Sequence, residues 1–563
     1  MSPPRAAAMA IRPAATLILL RDAPAGLEVL LLRRAEKAVF LGGAYVFPGG
    51  TLETADADAL ALERVLGRTD EEASRTLGMP GGGLAYWVAA ARECFEEAGI
   101  VFACDEAGGP AAPEHIAAMA DHRDAMNRGD ASFAQLLARH RLALPAHEIH
   151  YFDHWITPPI RPRRFDTRFF VARAPGEQEG SHDNVETVNS LWLRPADALG
   201  RSDRQEIEIA FVTRIALDAF ARFGTVDEAL AHARAKGPVE ANRPAVAQGR
   251  EGPQIFRRGA APYAEIRWSD PDETMEGTYD LVPGVPRRLD RLVARVIAPN
   301  PGVMTGPGTN TYLVGEDEIA VIDPGPAIDA HVAAVLAAGA GRIRWILCTH
   351  THRDHSPAAR ALQAATGARV IGRPAPAVDT HDTDFAPDWM AGHDEPLRLG
   401  SLTLRALHTP GHASNHVCYL LEETKMLFTG DHVMQGSTVI INPPDGDMGA
   451  YLRSLDALLA LDIAIIAPGH GYLIGSPHRE IRRLVAHRLW REARVVEALE
   501  SRAGATCDEL VADVYADADP RLYGIAARSL LAHLRKLVAE GKVTETGGRY
   551  RSSAPERAPF RAQ

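Results

Sequence analysis

Along the first 225 positions, apolar residues fall into short runs of strand length: AATLILL, LEVLLLRR, YFDHWITP, TRFFVARA and NSLWLRP. Two longer stretches, AYWVAAARECFEEAG and EIEIAFVTRIALDAFARFG, space their apolar residues at helical intervals. Strands mixed with helices in this way predict a compact α/β domain over residues 8–225. Residues 226–290 are rich in Pro, Gly and Arg and weak in periodicity, so they read as a linker or bridging segment. Patterning resumes over 291–480. There YLVGEDEIAVIDPG, RIRWILCTH, KMLFTGD and DIAIIAPGHG alternate with helical AHVAAVLAAG, SPAARALQAATG and GAYLRSLDALLAL. Several of these strands run directly into His or Asp, where an α/β sandwich places its ligands.

From 481 to 555 the pattern changes again. Three helical stretches (REIRRLVAHRLWREARVVEALES, DELVADVYA, GIAARSLLAHLRKLVAEG) precede KVTETGGRYRSS, which reads as a hairpin. Helix, helix, helix, hairpin is the order of a winged helix.

Composition changes this picture little. A chain of 563 residues is too long for one core. A formal charge of −12 argues against a protein that coats nucleic acid over its whole surface. Six arginines against two acids between Arg479 and Arg494 still leave a local basic stretch. Five scattered cysteines with no CxxC pair read as reduced thiols. The apolar run near the N-terminus is broken at Arg21 and Asp22, unlike a secretory signal. No stretch approaches the roughly 18 apolar residues of a membrane span. The expectation is a soluble, cytoplasmic protein without a membrane partner.

The strongest chemistry lies at His350-Thr351-His352-Arg353-Asp354-His355, directly after the apolar WIL. Three imidazoles and a carboxylate this close together cost several kcal/mol to bury unless a metal or hydrogen bonds satisfy them. His412 in TPGH, Asp431 in TGD and His470 in PGHG also stand at strand ends, beside glycines and prolines suited to tight turns. With Asp323-Pro324-Gly325 ahead of it, this ordered set resembles the metallo-β-lactamase superfamily. The resemblance implies that His350, His352 and His412 hold one zinc ion. Asp354, His355 and His470 would hold a second, with Asp431 bridging. Two such ions would lower the pKa of a water between them and polarise the electrophile, with Asp354 orienting the attacking hydroxide. An imidazole and carboxylate shell also accepts iron or manganese.

The segment HRLWRE, then LLAHLRKLVAEGKV, and GDHVMQGSTVIINPPDGDMGAYLRSL resemble the β-lactamase-like protein 2 group. Some of its members are endoribonucleases, which implies single-stranded RNA as a partner, with the arginine-rich helix on phosphates. Arginines on such a helix more often form a salt-bridged face, and a thioester or small ester is the other substrate class.

In the first domain, Arg92-Glu93-Cys94-Phe95-Glu96-Glu97-Ala98-Gly99-Ile100 places Glu93, Glu96 and Glu97 on one helix face. That crowding is unfavourable unless a cation lies among them, and Mg²⁺, which also takes phosphate, suits it. With Phe47-Pro48-Gly49-Gly50 upstream, the pattern resembles a Nudix box split by some 40 residues, as in the subgroup that includes coenzyme A diphosphatases. Trp155-Ile156-Thr157-Pro158 and Arg164-Phe165-Asp166-Thr167-Arg168-Phe169-Phe170 share that resemblance. It implies Mg or Mn on Glu93, Glu96 and Glu97, with Glu96 and Glu97 catalytic. The reaction would be hydrolysis of nucleoside diphosphate-linked compounds such as coenzyme A derivatives. Asp56 stands where the simple signature has Glu.

The expected architecture is multidomain α/β: a Nudix α/β/α sandwich, a metallo-β-lactamase αβ/βα sandwich and a small winged helix. Three functions are open. Both heads are hydrolases; or only the metallo-β-lactamase head is, with the Nudix domain sensing a nucleotide; or the chain is an RNA-binding module. A complete ligand set argues against the third.

Overall fold

A computed structural model describes residues 10–553 apart from 38–40, 177, 179–186, 238 and 503. The domain limits expected at 8 and 555 lie outside the described residues. The chain divides into two compact units, residues 1–246 and 247–563.

The first unit is built on a mixed sheet with the order Thr187–Leu193, Gly26–Arg34, Ile11–Ala23, Arg164–Arg173, His150–Ile156. Its central strand shows why two layers of helix are required. Ala15, Leu17 and Leu19 pack with Trp87, Phe95 and Phe133, whereas Ile18 and Leu20 pack on the other side with Leu217, Phe220 and Val226. Successive side chains on a strand point to opposite faces, so an unbroken apolar run buries both. The result is the α/β/α sandwich. Helix Leu84–Ala98 lies on the first face, while Phe211–Phe220 and Val226–Ala235 lie on the second.

The second unit packs a six-stranded sheet against a five-stranded one. Tyr312, Ile322 and Leu347 from the first meet Leu404, Tyr419 and Phe428 from the second in a common core. Helices Asp329–Gly339 and Ala359–Thr366 cover the outer face of the first sheet, and Met448–Leu458 and Pro477–Glu500 that of the second. This is the αβ/βα sandwich. Helix Pro477–Glu500 buries Ile481 and Leu484 there, then Val495 and Leu499 in a separate small core with Leu510, Leu530 and Tyr550. That core belongs to the winged helix: helices Cys507–Val514 and Tyr523–Ala539, then a hairpin of Val543–Thr546 and Arg549–Ser552.

Residues 226–290 contribute to both units. Helix Val226–Ala235 packs in the first, and helix Tyr263–Ser269 buries Glu265 and Ile266 in the second. No helix among the described residues is long and apolar enough to cross a membrane.

Candidate metal centre

His350, His352, Asp354 and His355 leave the end of strand Ile343–Leu347. His412 follows Leu402–His408, Asp431 follows Met426–Gly430, and His470 follows Ile465–Pro468. The ends of strands from both sheets thus meet at one place, and the structure brings all seven residues together. His350, His352 and His412 offer ligand atoms within 4.8 Å of one another, and so do Asp354, His355 and His470. A third group, His350, His355 and Asp431, joins the two.

The atoms fit a metal. His352 Nδ1 lies 2.9 Å from His350 Nε2 and 3.1 Å from His412 Nε2, so three ring nitrogens converge on one point. Burial and the neighbouring His412 ring push His352 down to about 3, which leaves its lone pair free at neutral pH. On the other side, His355 Nε2, His470 Nε2 and Asp431 Oδ1 are buried without a hydrogen-bond partner. They face one another and Asp354 Oδ2 at 3.3–3.4 Å. Orphaned buried atoms aimed at a common point are what a bound cation satisfies. Burial works against a charge on His470, but Asp431 and Asp354 outweigh it and push the ring up to about 9. The carboxylates here want a positive partner.

An outer layer aims these rings. The Nδ1 atoms of His355, His412 and His470 lie 2.9 Å from Asp323 Oδ2, 2.8 Å from the Ile440 carbonyl and 3.2 Å from the Gly308 carbonyl. A ring that donates Nδ1–H outward presents Nε2 as a ligand. Asp323, which in the sequence stands only as the first residue of Asp323-Pro324-Gly325, is the anchor of this layer. Its carboxylate also accepts from the Thr349 amide at 2.7 Å and the Thr349 hydroxyl at 2.8 Å. Asp323 holds a left-handed φ of 50°, a strained conformation typical of functional positions. Two glycines beside ligands have no room for a side chain. A Cβ on Gly430, itself at φ 44°, would strike the Thr349 side chain, and one on Gly469 would lie 2.7 Å from Asp431 Oδ1. His416, which no motif in the sequence marks, stacks its ring 5.1 Å from His350 while its Nδ1 meets the Thr409 hydroxyl.

The Nudix-type carboxylates sit in the first unit around a different cation. Arg92 is buried and donates to Asp56 through Nε at 2.8 Å and Nη2 at 3.0 Å. Its Nη1 reaches Glu93 at 3.0 Å and Glu96 at 2.7 Å. Glu97 instead accepts from the Gly49 amide at 2.9 Å, so the upstream PGG is pinned beside the helix. Burial pushes Glu93 up to about 8 against the pull of Arg92. The strand Gly49–Thr51 pairs with Ile11–Ala23, and a Cβ on Gly50 would collide with the Glu93 carboxylate. The long insert therefore leaves the two halves of the box adjacent. The cation demanded by the glutamates is supplied in part by Arg92, which spacing alone did not reveal.

The basic helix uses Arg488 and Arg491 in packing, while Arg479, Arg482 and Arg483 are exposed. Arg488 reaches the Val439 carbonyl, and Arg491 reaches the Val514 carbonyl at 2.5 Å and Asp517 at 2.7 Å. Arg494 binds the Asp513 carbonyl at 2.7 Å and Arg483 binds Glu480 at 2.6 Å.

Comparison with known proteins assigns the parts. The NUDT19 Nudix domain model matches residues 62–213, the metallo-beta-lactamase superfamily model 304–470, and the beta-lactamase associated winged helix domain model 506–551. A beta-lactamase-like protein 2 homolog of Drosophila melanogaster is 31% identical over 277 residues, covering 47% of this chain and 93% of the relative. An atrochrysone carboxyl ACP thioesterase of Aspergillus chevalieri is 33% identical over 261 residues, covering 43% of this chain and 80% of the relative. A NUDIX hydrolase structure from Alicyclobacillus acidocaldarius is 30% identical, covering 39% of this chain and 96% of that one, with a TM-score of 0.32. The chain belongs to the metallo-β-lactamase superfamily, with a NUDT19-type Nudix domain ahead of the metallo-β-lactamase domain and the associated winged helix behind it. Both families are hydrolases that use divalent metal ions.

Proposed function

We propose that the second unit hydrolyses acyl thioesters at a two-zinc centre held by His350, His352, His412, Asp354, His355, Asp431 and His470. The convergence of these seven side chains from four strand ends carries the reading. When bound, the ions would lower the pKa of a water between them and polarise the thioester carbonyl. The protein's own part is orientation. Asp354 Oδ2 takes a hydrogen bond from the Thr309 hydroxyl at 3.3 Å and lies 3.3 Å from both His355 and His470, and this carboxylate would orient the attacking water. Asp431 reaches both groups, with Oδ1 3.4 Å from His355 and Oδ2 3.7 Å from His412. A relative named as an acyl-carrier thioesterase, matched over 43% of this chain, supports the thioester over RNA. So does the burial of Arg488 and Arg491 within the fold.

In this reading the Nudix unit cleaves the pyrophosphate of a nucleoside diphosphate-linked compound such as a coenzyme A derivative, with Mg²⁺ or Mn²⁺ on Glu93, Glu96 and Glu97. Acyl-coenzyme A carries both scissile bonds, so the two heads would act on one class of molecule, which would give their fusion a purpose.

The test is thiol release from a short-chain acyl-coenzyme A with zinc added, wild type against Asp354→Ala. Loss of turnover by a factor on the order of 10²–10⁴ is expected. Equal rates, or cutting of end-labelled single-stranded RNA with no thiol release, would sink the thioester reading. Glu96→Gln and Glu97→Gln decide the first unit. Abolished pyrophosphatase activity makes it an enzyme, and ligand binding without turnover in the wild type makes it a sensor.

A further inference from the structure

The turn that carries His470 is held from behind by a buried polar frame. The Pro468 carbonyl accepts from Asn310 Nδ2 at 2.9 Å and from the Tyr312 hydroxyl at 2.8 Å. The Gly471 carbonyl accepts from Asn310 Nδ2 at 2.9 Å and Arg295 Nη1 at 3.2 Å. The Leu473 amide donates to Glu265 Oε2 at 3.0 Å. Glu265 in turn grips Arg295 through two bonds of 2.7 and 2.9 Å, and Arg287 meets the same carboxylate at 2.7 Å. Glu265 is 0% exposed and Arg295 is 1% exposed.

Replacing such a pair by apolar residues of the same volume is often neutral or stabilising, so attachment of helix Tyr263–Ser269 is a weak account of its presence. Its distinctive contribution is directional. Arg295 fixes the carbonyl just after His470, and Glu265 fixes both Arg295 and the amide two residues further on. Hydrophobic packing has no such direction.

We infer that Glu265, from a stretch that reads as a linker in the sequence, is a positioning residue for His470. Through His470 it shapes the metal pocket completed by Asp354 and His355. This rests on the reading of His470 as a ligand. Outer partners of metal ligands typically change affinity or activity by about 10–100-fold when removed. The effect should fall on the Asp354, His355 and His470 pocket and spare that of His350, His352 and His412.

The experiment uses the full chain, stripped of metal and titrated with Zn²⁺ alone against a chromophoric chelator. Wild type is compared with Glu265→Gln and with Glu265→Gln/Arg295→Gln, which removes the buried pair and leaves Arg287 as the one cation of the frame. The expected result is two binding events in wild type. Both variants should show one unchanged event and one weakened by about 10–100-fold. Their kcat should fall with KM nearly constant, and excess zinc should restore part of it. If wild type does not bind two ions, the metal reading fails whatever the variants do. If wild type binds two and the variants match it, or lose both events equally, the positioning role is overturned. Loss of the far-ultraviolet circular dichroism signal in both variants would also overturn it, making Glu265 a residue of stability alone.

Discussion

The two acidic centres of this protein solve the same problem with different partners. In the first unit, Glu93 and Glu96 crowd one helix, and the guanidinium of Arg92 reaches into the crowd. In the second, Asp354 and Asp431 face His355 and His470, and no Lys or Arg is paired with either carboxylate among the described ion pairs. One centre carries its own permanent cation. The other meets its carboxylates with imidazoles, a type of side chain that releases its proton when a metal binds. A cluster of acids with a built-in arginine keeps its shape when empty, whereas a cluster of histidines and acids is completed by what binds to it.

The largest way to break this comparison is Arg92→Gln. It leaves Asp56 buried without its ionic partner, and breaking such a pair costs about 3–5 kcal/mol. The first unit should unfold earlier in urea, followed by its own tryptophans, while the transition of the second unit stays where it was. An unchanged first transition would mean that Arg92 is dispensable to the empty cluster.

Next in size is metal return. Adding zinc to chelator-stripped protein at about a hundred times its dissociation constant should stabilise the second unit by about 2.7 kcal/mol. Calorimetry with resolved transitions would read this as a rise in the second melting temperature with little change in the first. Equal rises would place zinc in both centres.

The smallest effect is in the acid limb of the second unit. Burial raises the Glu265 carboxyl, but Arg295 and Arg287 outweigh it and hold it below its ordinary value. An unfolded glutamate titrates near about 4.3. The stabilisation is therefore complete above that pH and is lost as pH falls below it. Urea midpoints measured from pH 7 to pH 3 should show a shallower acid limb in Glu265→Gln than in wild type. Parallel limbs would mean that the carboxylate is not charged in the folded state.

The histidine and aspartate cluster was legible because each of its residues stands near the end of an apolar run. A strand delivers its last residue to the sheet edge, so WIL before CTHTHRDH and AIIAP before GH already say where those histidines emerge. The split Nudix box was legible for a similar local reason, since i, i+3 and i+4 on a helix must share a face. What lay beyond the sequence are the partners reached across it. Asp323 meets His355 from 32 residues away, and Asp56 meets Arg92 from 36. Glu265 meets Leu473 from 208.

Residues 226–290 show the same limit. Their Pro, Gly and Arg content hides a helix whose one fully buried carboxylate braces a turn far along the chain. Periodicity and motif spacing are properties of neighbours in the chain, so the sequence alone determined the order of the three domains, their layers and the metal-type side chains. Which lone pair each ring presents, which arginine quenches which acid, and what braces the ligand-bearing turn depend on close approach of distant segments. Hydrogen bonds and ion pairs act over a few ångströms, and only the packed sheets bring those groups within that range.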